Sequence, residues 1–185
     1  MNNTKAKNNL EELQNEYKSF FVLEYPYGSM VEELVNSLYE KEGKIQGNYL
    51  TALGLFCYSE VIGREIIRHK YPTKKYVNNK ECFNCFFSEY MGYKNLLLKF
   101  KDIYDWYRNG LCHNYKIKGV GNAETGVFVY YDQSSVLAFE NFGVDTTKGI
   151  LLSEKSSKRI FIILPYFADF IMGIEKFLKE KKNIA

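Results

Sequence analysis

The chain has 185 residues, 46% of them hydrophobic and 17% aromatic, with only 3 Pro and a formal net charge of +3. That length suits one domain able to bury its own core without staples. The composition excludes a long disordered region, and the charge is too small to announce a nucleic-acid binder by itself.

Lysine runs at 74–75 and 179–182 read as solvated surface, with a local basic patch as the alternative. Residues Met1 to Asn9 are polar, so no secretory signal is expected there. The most apolar stretch, Ile160 to Ile174, is broken by Pro165 and Asp169 and is too short for a bilayer. The expectation is a cytoplasmic protein with no membrane attachment, whose four cysteines are reduced and buried.

In chain order, Leu10, Leu13, Tyr17, Phe20 and Phe21 fall at helical spacing opposite Glu11, Glu12, Gln14 and Lys18. Tyr25-Pro26-Tyr27-Gly28 is a break, Ser29 is a candidate cap, and Val31, Leu34, Val35 and Leu38 give a short second helix that stops before Gly43. Gly47-Asn48 opens the longest helix, running to about His69, with apolar residues over most of its circumference, which places it in the middle of a bundle. Its polar stripe is Glu60, Arg64 and Arg68, and the i,i+4 order makes Arg64 the preferred partner of Glu60, with Arg108 as the long-range alternative. Tyr71-Pro72 ends that helix. A shorter helix is expected from Glu81 to Met91, closed by Gly92, and another from about Tyr93 to Asn109 with Leu96, Phe100, Ile103, Tyr107 and Leu111 as its buried seam.

The period then changes. Runs at 127–131, 136–139, 150–152 and 159–163 are β-branched and aromatic, separated by polar turns, and read as a small antiparallel meander. Pro165 suits the first turn of a final helix striped by Phe167, Phe170, Ile171, Ile174, Phe177 and Leu178. The fold class is therefore mainly α: one domain over 1–185, a helical bundle with the β excursion at about 124–164, inserted before the C-terminal helix.

One stretch gathers chemistry: Arg108-Asn109-Gly110-Leu111-Cys112-His113-Asn114-Tyr115. An Arg, a His and amide or hydroxyl donors are what a site needs to hold a phosphate and move a proton near neutral pH. Singly, each has an ordinary reading: Arg108 paired with Asp105 or Glu60, His113 a polar residue at a helix end, Tyr115 one more packed aromatic, and Asn109-Gly110 a helix stop. The joint pattern of Arg, Asn, four residues from Arg to His, one residue and then Tyr resembles the HEPN family, whose signature it is. The earlier long helix carrying Glu60 fits the same order of elements.

The resemblance implies a HEPN-like helical bundle that forms a homodimer, with both motifs facing one cleft. It implies a metal-independent endoribonuclease of a toxin–antitoxin or abortive-infection system, needing no cofactor. Arg108 would bind phosphate, His113 would be general acid and base, and Asn109 would assist. Asp105 and Glu60 would support them, and Tyr115 stands where a nucleotidyltransferase antitoxin modifies related toxins. Many family members are instead inactive binding or assembly modules. Five residues along an unbroken α-helix is about 140° of rotation, so Arg108 and His113 would share a face only if Gly110 broke the helix or a two-fold partner supplied the second copy.

Cys82-Phe83-Asn84-Cys85 is a lone CxxC, weak as a zinc signal without a second pair. Gly119-Val120-Gly121 lies between helix and strand in the wrong order for a dinucleotide site.

Overall fold

The computed structural model describes residues 27–41, 44–46, 49–114, 125–128, 149–152 and 159–184. The expected helix over 10–21, the run 136–139 and Tyr115 lie outside the described residues. Among those described, no helix is long and apolar enough to cross a membrane.

Helix α1 (Tyr27–Asn36) buries Met30, Val31, Leu34 and Val35. It begins two residues before Ser29, which sits inside the helix rather than capping it. A hairpin that the periodicity did not foresee follows, β1 (Tyr39–Lys41) against antiparallel β2 (Lys44–Gln46). Helix α2 (Tyr49–Lys70) is the long helix expected, and it packs against α1, α3, α6 and the motif helix. One stripe of it stays open to solvent, with Leu50 and Val61 exposed, so it is central on three sides rather than all round.

Helix α3 (Asn79–Glu89) starts where Asn78 Oδ1 accepts a hydrogen bond from the Glu81 backbone N–H at 2.8 Å, which satisfies one of the orphan donors of the first turn. It lies against α2 so closely that a Cβ on Gly63 would stand 1.9 Å from the Cys82 carbonyl oxygen. Gly92 then turns the chain at φ +82°, a conformation that suits glycine.

The single helix expected from Tyr93 to Asn109 is two pieces. Helix α4 (Lys94–Lys99) ends at Phe100, whose φ of −127° and ψ of 84° leave the helical region. The chain then re-enters a helix that widens into a π-turn (Asp105–Asn109) and continues as α5 (Gly110–Asn114). Gly110 does not break it, with φ −61° and ψ −48°.

Strands β3 (Thr125–Phe128), β4 (Ile150–Leu152) and β5 (Arg159–Ile162) form one sheet in the order β3-β5-β4. The β4–β5 pair is antiparallel, but β3 lies parallel to β5, in register from Thr125 opposite Arg159 to Phe128 opposite Ile162. The all-antiparallel meander expected from the strand spacing is thus corrected to a mixed sheet among the described strands. Alternation and turn residues locate strands, whereas the neighbour each chooses depends on what the sheet covers, and a parallel pair needs a long crossover. Here the sheet lays Ile160, Phe161 and Ile162 on the core.

Helix α6 (Ile163–Ile184) follows without a gap, with Pro165 in its first turn and Phe167, Phe170, Ile171, Ile174 and Phe177 buried. The centre of the molecule is Phe56 on α2. Its ring centroid is 5.5 Å from Phe83 on α3, 5.9 Å from Tyr107 in the π-turn, 5.1 Å from Phe161 on β5 and 5.3 Å from Tyr166 on α6. All four separations are in the range where aromatic pairs add to area burial. The sheet and the motif helix are therefore tied to the same core as the long helices.

Candidate functional site

The π-turn places Tyr107 and Leu111 in the core and turns Arg108 toward α2. A π-turn takes one extra residue into a helical turn and frequently marks a functional position. Arg108 Nε donates to Glu60 Oε1 at 2.6 Å, and Tyr104 Oη donates to the same oxygen at 3.1 Å. Glu60 is thus paired across two helices with Arg108, not along its own helix with Arg64. Arg64 reaches the other way, to the Val77 carbonyl at 3.3 Å and to Asn79 Oδ1 at 2.5 Å. The i,i+4 rule is worth a few tenths of a kcal/mol on an exposed helix, and a carboxylate buried as deeply as Glu60 gains more from a partner held inside the fold.

Burial works to lower the Arg108 pKa, but the Glu60 hydrogen bond and charge outweigh it, so the guanidinium is held more firmly protonated than usual. Tyr104 is pushed well above the ordinary tyrosine range, first by burial and then by the Glu60 charge, with Arg108 opposing. Its phenol therefore stays a proton donor to Glu60.

Among the described residues, Arg108 Nη1 and Nη2 have no hydrogen-bond partner, so the fork keeps its outer donors while Nε is engaged. Asp105 does not orient Arg108. It accepts from Asn109 Nδ2 at 2.9 Å and from Lys80 Nζ at 2.5 Å, and Lys80 also approaches Asp102 at 4.0 Å. Asn109 is thus held by Asp105, with Arg108 beside it in the chain. Tyr104 and Lys80 are the members of this cluster that sequence pattern did not assign; Tyr104 lies four residues before Arg108 on one helix face, a usable signal, while Lys80 carried none.

His113 is exposed on α5, as is its neighbour Cys112. Arg108 and His113 therefore lie on one helix, the first anchored to α2 and the second open to solvent. Beside them Arg159 stacks on Trp106, its guanidinium carbon 3.8 Å from the ring centroid, and burial pulls its pKa below the usual arginine value.

The cysteines are not uniformly buried as expected. Only Cys82 is; Cys57 and Cys85 are half-buried and Cys112 is exposed. Both CxxC thiols are raised: Cys85 is pushed up to about 12 by burial and by Glu89, and Cys82 is pushed up by burial against a lesser pull from Arg64. Among the described residues no three His, Cys, Asp or Glu side chains converge on a point where a metal could sit, and His69 instead packs edge-on to Phe177 at 6.1 Å. Set against known proteins, the chain matches no family model, no curated protein and no solved structure.

Proposed function

We propose that the protein is a metal-independent endoribonuclease of HEPN type that works as a homodimer in a toxin–antitoxin or defence system. The observation that carries this reading is the state of Arg108: its Nε is fixed by Glu60 at 2.6 Å while its terminal amino groups keep their donors, on the helix that presents His113 to solvent. A guanidinium steadied in this way is prepared for the two non-bridging oxygens of a phosphate, a fork that lysine does not reproduce.

Cleavage without metal needs the 2′-hydroxyl to lose a proton, the phosphorane charge to be held, and the 5′-oxygen to gain a proton. In the dimer one His113 takes the first proton and the partner copy delivers the second. Arg108 stabilises the charge that develops between them, and Asn109 positions the phosphate from its Asp105 anchor. The 2′-hydroxyl is the nucleophile, so RNA is cut to a 2′,3′-cyclic phosphate and DNA is spared. Under the same reading Tyr115 is the position an antitoxin with nucleotidyltransferase activity would modify.

A second reading is a non-catalytic dimer that binds a protein or a nucleotide. The observation favouring it is the same ion pair, because Glu60 neutralises the Arg108 charge that a phosphate would need.

One experiment separates them. Single-stranded RNA is incubated in EDTA with the wild type, His113→Ala and Arg108→Lys. His113 is exposed, so its truncation leaves the fold intact and reads chemistry alone. The expected result is cyclic-phosphate ends from the wild type and at least about a hundredfold loss in His113→Ala, the usual range for removing a general acid–base group. Equal cleavage by all three proteins, or by none with tight RNA-independent nucleotide binding, removes the ribonuclease reading.

A further inference from the structure

Between the end of α2 and the start of α3 the chain interleaves rings with cations: Arg68-His69-Lys70-Tyr71-Pro72-Thr73-Lys74-Lys75-Tyr76. Both ends of the connecting loop are fixed. The Tyr71 backbone N–H donates to the Ile67 carbonyl at 2.8 Å, and the Lys74 N–H donates to the Tyr71 carbonyl at 3.0 Å. The second bond closes a β-turn with Pro72 at its second position, where the φ of proline is already correct. At the far end Val77 is buried with Ile67 and Cys82, and Arg64 donates to its carbonyl at 3.3 Å. Asn78 then caps α3.

This anchored loop holds two rings out in water. Tyr71 is 58% exposed and Tyr76 is 81% exposed, the most open large apolar side chain among the described residues. Other tyrosines, such as Tyr107 and Tyr166, bury their rings completely. Around the two rings stand Arg68, Lys70, Lys74 and Lys75, all exposed. Lys70 pairs with Glu89 at 2.9 Å and Lys74 pairs with Glu81. Exposed pairs of this kind stabilise little in water, so either lysine can turn to another anion. Among the described residues Arg68 and Lys75 carry no ion pair. Lys176 of α6 continues the surface, since it and Lys70 stand over the same Tyr90 ring at 5.1 and 5.0 Å.

We propose that this loop is a binding surface for single-stranded nucleic acid, in which Tyr71 and Tyr76 stack on unpaired bases and Arg68, Lys70, Lys74 and Lys75 hold the phosphates. Aromatic platforms along a cationic track are how a strand is bound without sequence preference, because every base has a ring face. Other partners fit less well. The contact surfaces of protein complexes are depleted in lysine, and here cations outnumber rings. A membrane surface is held through an apolar face that enters it, and residues 68–76 include no Leu, Ile, Val, Phe or Trp. A duplex offers phosphates but keeps its bases stacked.

The surface needs no proton transfer, so it goes beyond the ribonuclease reading and does not depend on it. It nonetheless lies close to the motif helix: α3 begins where the loop ends, and Lys80 in its first turn donates to Asp105 at 2.5 Å.

The test is fluorescence anisotropy of the full chain with a labelled oligodeoxythymidine of about 12 nucleotides. That strand lacks the 2′-hydroxyl, so it is bound without being cut, and failure of the ribonuclease reading would leave the result unchanged. The expected outcome is saturable binding that weakens as salt rises and that the duplex form of the oligonucleotide does not match. The double variant Tyr71→Ala/Tyr76→Ala should lose at least about fivefold in affinity, while Tyr71→Phe/Tyr76→Phe keeps it because the ring faces remain. Lys75→Gln should lower the slope of log affinity against log salt by about 0.7, the value of one phosphate contact on a single strand. The substituted side chains are exposed, so each variant should keep the wild-type thermal midpoint, which separates a lost contact from a lost fold. No measurable binding by the wild type, equal affinity for duplex and single strand, or unchanged binding by the double alanine variant would each overturn the proposal. So would cosedimentation with phosphatidylserine vesicles that depends on the two tyrosines and is not displaced by the oligonucleotide.

Discussion

Two successive turns on one face of helix α2 are built on opposite principles. The first is a dry aromatic hub, where Phe56 meets rings from α3, the π-turn, β5 and α6. The next is a polar seam, where Glu60 holds Arg108 and Tyr104. Stability on the hub side comes from area and shape and tolerates no polar atom without a partner. On the seam side a charge is kept in place at an energetic cost, which is the pattern expected where a residue is retained for what it does. Phe56 and Glu60 are four residues apart, so the helix that stabilises the fold also aims the candidate site.

The sharpest way to break this comparison is at the hub. Phe56→Ala removes one ring that four others touch, leaving a cavity bordered by rings from four elements. The expected loss is about 4 kcal/mol, the middle of the range for a buried Phe truncation. It is read from the midpoint of urea unfolding at constant m. A loss below about 1 kcal/mol would mean that Phe56 is not the centre of the core.

Next comes the seam. Arg108→Ala leaves Glu60 buried without its cation, and the expected destabilisation is about 3 kcal/mol, the low end for breaking a buried pair because Arg108 still reaches solvent. Pairing it with Glu60→Leu tests the logic of the region. If the charge is kept for function, the double variant recovers most of that loss, because removing both partners of a buried pair is often neutral. Additive losses in the double-mutant cycle would instead make the bridge a structural element.

How much of this was legible in the sequence follows the same division. The hub side was readable because α2, α3 and α6 are long and their apolar residues recur at helical spacing, which locates a helix and its buried face from one chain alone. The hairpin β1–β2 was not, since strands of three residues show no period. The motif helix was found but misjudged at both ends. Phe100 interrupts it where no Gly or Pro announces a break, and Gly110 stays helical where a stop was expected. The parallel placement of β3 beside β5 is a tertiary choice that no local signal encodes. In the seam, the residue types were legible and the partners were not: Arg64 satisfied the local rule for Glu60, yet the fold sends it to Val77 and Asn79 and brings Arg108 instead.

A smaller effect tests how tightly the hub is drawn against the neighbouring helix. Gly63→Ala would put a methyl group 1.9 Å from the Cys82 carbonyl oxygen, a backbone atom that cannot rotate away. Helices α2 and α3 must then separate by a fraction of a turn, at a cost of about 2 kcal/mol, typical of overpacking. The check is the unfolding midpoint together with near-ultraviolet circular dichroism, which should lose intensity as the Phe56–Phe83 contact loosens. Unchanged values for both would show that the approach of the two helices is looser than the geometry indicates.

The smallest effect belongs to the phenol of the seam. Burial first, and then Glu60, hold the folded Tyr104 pKa well above the ordinary value near 10. A group that binds its proton more tightly when folded contributes stability that is complete below its unfolded pKa and is lost as pH rises beyond it. Stability should therefore be flat up to about pH 9 and decline above about pH 10, where unfolded tyrosines ionise. Glu60→Gln removes the charge but keeps an acceptor for Tyr104, so the Tyr104 ionisation should move down toward the ordinary range, seen as a new component in the 295 nm absorbance titration. Tyr166, buried at the hub with the Ser59 hydroxyl 3.2 Å from its own, is also pushed up, but mainly by burial, and should not respond to Glu60. If the substitution left the titration curve unchanged, the carboxylate would not govern the proton on Tyr104. The seam would then be held by the guanidinium alone.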